Sequence, residues 1–274
     1  MKRGIANADG VELAYSVEGT ADDSILLIMG LGGRAADWGT RFPALLAERY
    51  RVIRLDNRGV GASPPAPGGY VLDDLARDAT RVLDAVGVAR AHVMGISMGG
   101  MISQLVALNH PERVNKLVLL STHFGGHSLV PPHPDAMRLF DQEEFVKRGK
   151  DPLAMMRFTL SVITAPGFIE RTPEALNEIL RNVEKEPTSQ RAFLAQVQAI
   201  IGSDRSERVT HITQPTMVVH GDEDKLIPFE NGKRLGDAIP GAKFARLAGV
   251  GHMPMFEATN ELARLVLDFL GKPE

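Results

Sequence analysis

Residues 91–109 constrain the fold of this chain more than any other stretch. Ala91-His92-Val93-Met94 is an apolar, strand-like run. It passes without a linker into Gly95-Ile96-Ser97-Met98-Gly99-Gly100, and a helical pattern follows from Met101 to Asn109. A strand that becomes a helix within five residues needs a turn tight enough to strain its central residue. The positions flanking that residue must then lack a Cβ, which Gly95 and Gly99 provide. The turn pushes the Ser97 hydroxyl into the open at a helix N-terminus, where developing negative charge is favoured. A serine hydroxyl is a weak nucleophile at neutral pH, so this geometry is chemically useful only beside a base. A glycine-rich turn with an ordinary serine at a helix start carries the same five letters. What separates the two readings is whether a base and an acid follow downstream, in order.

The remaining chain supplies a framework for such a turn. Residues 3–8 and 11–18 flank Asp9-Gly10, a hairpin signal, and Val11, Leu13, Tyr15 and Val17 alternate with polar residues as in an edge strand with one wet face. Ile25 to Met29 is continuously apolar, as a strand buried on both faces is, and ends in Gly30-Leu31-Gly32-Gly33. Asp37 is placed to N-cap a helix running to about Arg49. A strand over 51–55 ends in Asp56-Asn57-Arg58-Gly59-Val60-Gly61-Ala62-Ser63, and a helix is predicted over 71–86. Val114 to Leu120 reads as another buried strand. Strands alternating with helices imply an α/β fold, a mostly parallel central sheet with helices on both faces.

The alternation breaks after Ser121. Helical patterns near 135–148, 152–163, 173–185 and 188–201 follow without a convincing strand. It resumes with a strand at Thr216–His220, a helix near 229–238, a short strand near 243–247 and a final helix near 257–270. The chain therefore divides into a core, residues 1–122 and 209–274, and a helical cap inserted over 123–208. Ligands bind outside the carboxyl ends of strands in open α/β sheets, so an insertion there is placed to act as a lid.

Composition narrows the function classes. A formal net charge of −3 gives no electrostatic case for nucleic acid or an anionic membrane surface. The absence of cysteine excludes disulfides, thiolate metal ligands and a cysteine nucleophile. Met1 to Asn7 is basic but leads to Asp9 and Glu12 without an apolar h-region, so no signal peptide is read, and no apolar run has the length of a membrane span. The expectation is a cytoplasmic protein with no membrane span, monomer or homodimer. His123, His127 and His133 open the insertion at spacings that fit no helical zinc pattern, so no metal is expected.

A serine nucleophile needs an imidazole, and the imidazole needs a carboxylate to hold its tautomer. Of eight histidines, His92 and His220 lie in strands, His110 precedes Pro111 and His211 lies in a connection. His252 stands apart in Gly249-Val250-Gly251-His252-Met253-Pro254, a glycine-flanked loop after the last strand. For the acid, Gly221-Asp222-Glu223-Asp224 directly follows a buried strand and offers three carboxylates. The order serine, acid, histidine is the one expected with a nucleophile elbow.

With these residues in view, the chain resembles the α/β-hydrolase family over nearly its whole length. The matching stretches are Gly95 to Gly100, Asp56 to Ser63, Gly221 to Pro228 and Gly249 to His252. The family's Gly-x-x-Asp pattern selects Asp224 over Asp222. The resemblance implies a triad of Ser97, Asp224 and His252, with the backbone N–H groups of Leu31 and Met98 as the oxyanion hole. Many relatives carry His-Gly where this chain has Met29-Gly30; the Met-Gly-Leu-Gly form is similar to that of small carboxylesterases, the methylesterase-like branch included. The implied activity is cleavage of a small or medium lipophilic ester or lactone, without cofactor or metal. Pocket candidates are Trp38, His123, Met155, Met156, Phe158 and Phe168. Amide or C–C cleavage and perhydrolysis use the same machinery, and a hydrolase-like receptor with slow turnover would retain it too. Gly30-Leu31-Gly32-Gly33-Arg34-Ala35 also fits a dinucleotide-binding loop, but that reading leaves Ser97 and His252 without a role.

Overall fold

Continuous apolar runs are expected to lie side by side with both faces covered, and they do. The computed structural model describes residues 1–271 apart from 9, 67, 142, 144–150, 186 and 187. Its strands are β1 (Lys2–Ala8), β2 (Val11–Glu18), β3 (Ser24–Ile28), β4 (Arg51–Leu55), β5 (Ala91–Ile96), β6 (Val114–Leu120), β7 (Thr216–Gly221) and β8 (Lys243–Leu247). They form one eight-stranded sheet in the order β1-β2-β4-β3-β5-β6-β7-β8. β1 and β2 pair antiparallel at one edge, and every pairing from β4–β3 to β7–β8 is parallel. Gly10, at φ 85°, turns the predicted hairpin, while Asp9 lies outside the described residues.

Alternate residues of each central strand point to opposite faces. Leu26, Ile28, Val93, Leu117 and Leu119 pack with α2 (Leu72–Ala85) and α3 (Met98–Asn109). Ile25, Leu27, Met94, Val118 and Leu120 pack on the other face with α1 (Arg41–Ala47) and the C-terminal helix Thr259–Leu270. Two apolar layers thus hold the sheet between them, as the unbroken hydrophobic runs require.

The strand order has a functional consequence. From β3 the chain steps to β4 on one side, and then returns to place β5 on the other. Such a reversal opens a crevice at the carboxyl ends of the two strands. Ile28 pairs with Gly95, so the loop after β3 and the turn after β5 emerge next to each other.

Between β6 and β7 the described elements are helical. They are α4 (Pro134–Met137), a 3₁₀ turn at Arg138–Phe140, α5 (Pro152–Ile163), α6 (Phe168–Arg171), α7 (Pro173–Lys185), α8 (Gln190–Ile200) and a second 3₁₀ turn at Arg208–His211. α6 had no sequence signal. Of the helix predicted over 135–148, the described residues show α4 and the 3₁₀ turn to Phe140, a non-helical Asp141 and a helical Glu143, and positions 142 and 144–148 lie outside the described residues. The core closes with α9 (Phe229–Ala238), α10 (Pro254–Glu257) and α11 (Thr259–Leu270). Among the described residues no helix is long and apolar enough to cross a membrane.

One expected element differs. Asp37 does not cap a helix: its carboxylate accepts from the Arg34 backbone N–H and binds the Arg34 guanidinium, both at 2.9 Å. Residues 35–38 wind into a 3₁₀ turn, Gly39 breaks out at φ 75°, and α1 begins only at Arg41. The Arg34 guanidinium pairs with the carboxylate through two charge-assisted bonds, from Nε at 2.9 Å and from its terminal nitrogen at 3.0 Å, which hold it at residue 34 instead of at the start of α1.

Candidate active site

Ser97 joins β5 to α3 with φ 56° and ψ −123°. A non-glycine residue in that region costs on the order of 1–3 kcal/mol and persists only where its surroundings over-determine it. Those surroundings are specific. The Ser97 N–H donates to Leu120 O at 3.0 Å. Its carbonyl accepts from Gly100 N at 2.9 Å, Met101 N at 3.1 Å and Thr122 Oγ1 at 2.7 Å. A Cβ at Gly95 would collide with the Gly99 carbonyl, and one at Gly99 with the Ile28 carbonyl of the neighbouring strand. The hydroxyl-bearing residue itself stays half-buried, reachable from outside, while its flanks are closed.

Asp224 follows β7 and is fully enclosed. Its Oδ1 accepts from Leu226 N at 3.0 Å and Ile227 N at 2.9 Å. Its Oδ2 faces His252 Nδ1 at 2.7 Å and His220 Nε2 at 3.4 Å. Burial alone would raise this carboxyl; the charge of His252 and hydrogen bonds from His220 and His252 outweigh it and hold it at about 2. An ionised carboxylate only accepts, so His252 Nδ1 carries a proton, and in the neutral ring the lone pair is on Nε2. His220 Nε2 also lies 2.8 Å from Ile227 O, a second acceptor, which fixes its proton on Nε2 as well. His220 read as a structural strand residue in the sequence, and nothing in the strand pattern marks its contact with that carboxylate.

Backbone contacts place His252. Gly221 allows the Val250–Gly251 carbonyls to pass where a Cβ would stand, and Gly251 allows Ile163–Ala165 of the insertion to do the same. His252 N donates to Ile163 O at 2.7 Å. Glu257 holds both neighbours: its carboxylate accepts from Gly251 N at 2.8 Å and Met253 N at 2.9 Å, and from Ala165 N at 2.7 Å. Nothing in the linear pattern of the last helices marks Glu257 for this task.

The loop after β3 runs beside the elbow. A Cβ at Gly30 would stand 3.0 Å from Ser97 Cβ and 3.5 Å from its Oγ. Leu31 N–H donates to no described residue, and Met98 N–H is the first of the N-terminal donors that α3 leaves without an intrahelical partner. Asp56, at the end of β4, is spent on loop structure, accepting from Ala35 N at 2.7 Å and Ala62 N at 3.1 Å.

His123 follows β6 by three residues. Its Nδ1 accepts from Gly125 N at 2.9 Å, so the ring proton sits on Nε2. Burial, followed by the charges of Arg205, His220 and His252, lowers its pKa to about 4. It is therefore a neutral imidazole within electrostatic reach of the Asp224–His252 pair. Arg205, buried at the other end of the insertion, and Gln104 of α3 both donate to the His123 carbonyl, at 3.3 and 3.1 Å. The other pocket candidates separate. Trp38 is fully buried and stacked on Phe42 in the core, so its ring belongs to the sheet packing. Phe168 is buried in the insertion, Met155 and Met156 are half-buried on α5, and Phe158 packs beside Val162, Ile163 and Met253. A cavity of about 610 Å³ between the β1–β2 hairpin, Arg34–Ala36 and α7 includes none of Ser97, Asp224 or His252.

A mostly parallel sheet with a serine elbow, an enclosed acid and a histidine loop at its carboxyl edge defines a hydrolase of the α/β class. The chain belongs to the alpha/beta hydrolase fold family, whose sequence model matches residues 23–259. It is 32% identical over 263 residues to a putative carbamate hydrolase RutD of Variovorax paradoxus, covering 95% of this chain and 96% of that one. It is 30% identical to a 2-hydroxy-6-oxononadienedioate/2-hydroxy-6-oxononatrienedioate hydrolase of Paraburkholderia phymatum, covering 96% and 93%. Among solved structures it is similar to the enol-lactonase of Burkholderia xenovorans, with a TM-score of 0.82 at 26% identity over 98% of this chain and 100% of that one.

Proposed function

We propose that this hydrolase cleaves a carboxylic ester, a small or medium lipophilic ester or lactone, through an acyl-enzyme on Ser97. The observation that carries the reading is the enclosed Asp224–His252 contact at 2.7 Å, which leaves a basic Nε2 on the edge where the strained Ser97 emerges. In this mechanism Ser97 Oγ attacks the carbonyl as His252 Nε2 takes its proton. The Leu31 and Met98 N–H groups receive the oxyanion. His252 then protonates the leaving alcohol, and in the second half takes a proton from water, whose attack frees the acid and restores Ser97. Ser97→Ala should lower kcat on the order of 10⁶-fold, by analogy with other triads, with substrate still bound. Turnover of p-nitrophenyl esters of graded acyl length, wild type beside Ser97→Ala, tests this, and activity surviving in the variant would end it.

A second reading has a specific basis. Relatives spanning 89–97% of this chain are named carbamate hydrolases, and others hydrolases of oxo-dienedioates, where the bond cut joins two carbons. The same triad serves both, so matched ester and carbamate pairs with a common acyl group separate them. A higher kcat/KM on the carbamate member would move the assignment.

A further inference from the structure

We propose that Gln196, carried by the cap helix α8, is a positioning residue for the oxyanion hole. The proposal rests on the reading that Leu31 and Met98 N–H groups receive the oxyanion. Gly32, the residue after Leu31, is held from both sides by the insertion. Its N–H donates to Gln196 Oε1 at 2.7 Å, and its carbonyl accepts from Thr188 Oγ1 at 2.8 Å. A Cβ on Gly32 would stand 3.4 Å from the Phe193 ring, and the residue takes φ 69°. A bond within the loop, Gly33 N to Gly30 O at 3.1 Å, closes the turn from within. The peptide next to the Leu31 N–H is thus clasped by side chains from more than 150 residues away.

The chemistry of Gln196 makes the clasp directional. Its amide orientation is fixed, because a flipped amide would set a donor against the Gly32 N–H. The residue is fully buried, and its Nε2 has no hydrogen-bond partner among the described residues. Keeping a buried donor unpaired is unfavourable, and an apolar side chain of the same length would avoid it. What that side chain could not do is accept from Gly32. A site that tolerates the unpaired donor in order to keep the acceptor is the kind of local cost that accompanies function. The seated cap therefore sets the aim of the Leu31 N–H, and a displaced cap releases it.

The test compares wild type with Gln196→Leu, Gln196→Glu and Thr188→Val. The readouts are kcat and KM on the best p-nitrophenyl ester, melting temperature, and the rate at which a fluorophosphonate modifies Ser97, followed by intact mass. Positioning predicts that Gln196→Leu lowers kcat and the labelling rate about 10- to 100-fold, below the effect of deleting an oxyanion donor outright. KM should stay within about threefold, since ground-state binding does not use the hole. Gln196→Glu, which keeps an acceptor toward Gly32, should recover most of the loss. Thr188→Val, conservative and partly exposed, should give a smaller loss of the same kind. Unchanged kcat and labelling in Gln196→Leu would overturn the proposal. So would a loss that appears only with a collapsed melting temperature and that Gln196→Glu does not restore. If wild-type Ser97 is neither labelled nor needed for turnover, the reading of the site fails first, and that result is distinct from an active enzyme indifferent to Gln196.

Discussion

Asp224 and His123 show how enclosure sorts titratable groups. Asp224 is surrounded by donors and held at about 2; His123 is held at about 4, first by burial and then by the nearby Arg205 guanidinium. A histidine whose folded pKa lies below its unfolded value near 6.5 stays neutral in the native state while the unfolded chain takes up a proton. Its contribution to stability is full above that unfolded value and is lost as pH falls from about 6.5 to about 4. Asp224 acts in a lower window, its stability lost from the ordinary carboxylate range down to about 2. Comparing urea midpoints of wild type and a His123 variant at pH 7 and pH 4.5 therefore isolates His123 from other groups that titrate in acid, the raised Glu257 and Asp78 carboxyls among them. His123→Gln, whose carbonyl can still accept from Gly125 N, should lose less stability between those two pH values than wild type. Equal losses would show that His123 does not titrate as an enclosed neutral ring. These residues also mark the reach of sequence reading. The tight turn at Ser97 was legible from its glycines and the partnering of His252 with an acid after β7 from their order, whereas the choice of Asp224 among three carboxylates came from the family resemblance. His220 looked like filler because an apolar strand hides what its side chain meets past the strand end.

At the scale of elements, the glycines are the sharpest instructions, because whether a Cβ fits depends on the neighbouring element. Gly99 lies against the Ile28 carbonyl of β3, a backbone atom that cannot move without breaking the parallel ladder. Gly99→Ala should cost at least about 3 kcal/mol in urea unfolding, at the top of the overpacking range. Gly69 faces open space and is not among the positive-φ glycines, so Gly69→Ala should be neutral or slightly stabilising. Similar losses at both sites would contradict the tight-elbow account. The same dependence explains why the first helix was misread. An Asp in front of an apolar pattern favours an N-cap, but that preference is worth only about 1 kcal/mol. The Arg34 guanidinium, three residues earlier, captured the carboxylate instead.

For the whole molecule, the question is how the helical segment between β6 and β7 and the sheet, so different in sequence texture, are tied together. Three of the seams that join them are Gln196 and Thr188 at Gly32, Arg205 and Gln104 at the His123 carbonyl, and Glu257 at the histidine loop. None was legible, since each is a long-range bond to a backbone group and leaves no periodic trace. Glu257 is the seam closest to the proposed base. One carboxylate gathers the N–H groups on either side of His252 and one from the insertion, so His252 stays aligned only while all three donors find an acceptor. Glu257→Gln replaces one acceptor oxygen with a donor and sets it against an N–H. At least one of the three bonds must break. Because the contacts to Asp224 remain, the loss should be one of alignment: kcat about tenfold lower or more, with KM little changed. Burial raises the Glu257 carboxyl above its usual range, so acid should produce the same defect in wild type by protonating it. The variant, having no proton to gain there, should lack that step in its acid limb. A kcat profile with an identical acid limb in both proteins would separate Glu257 from the alignment of His252.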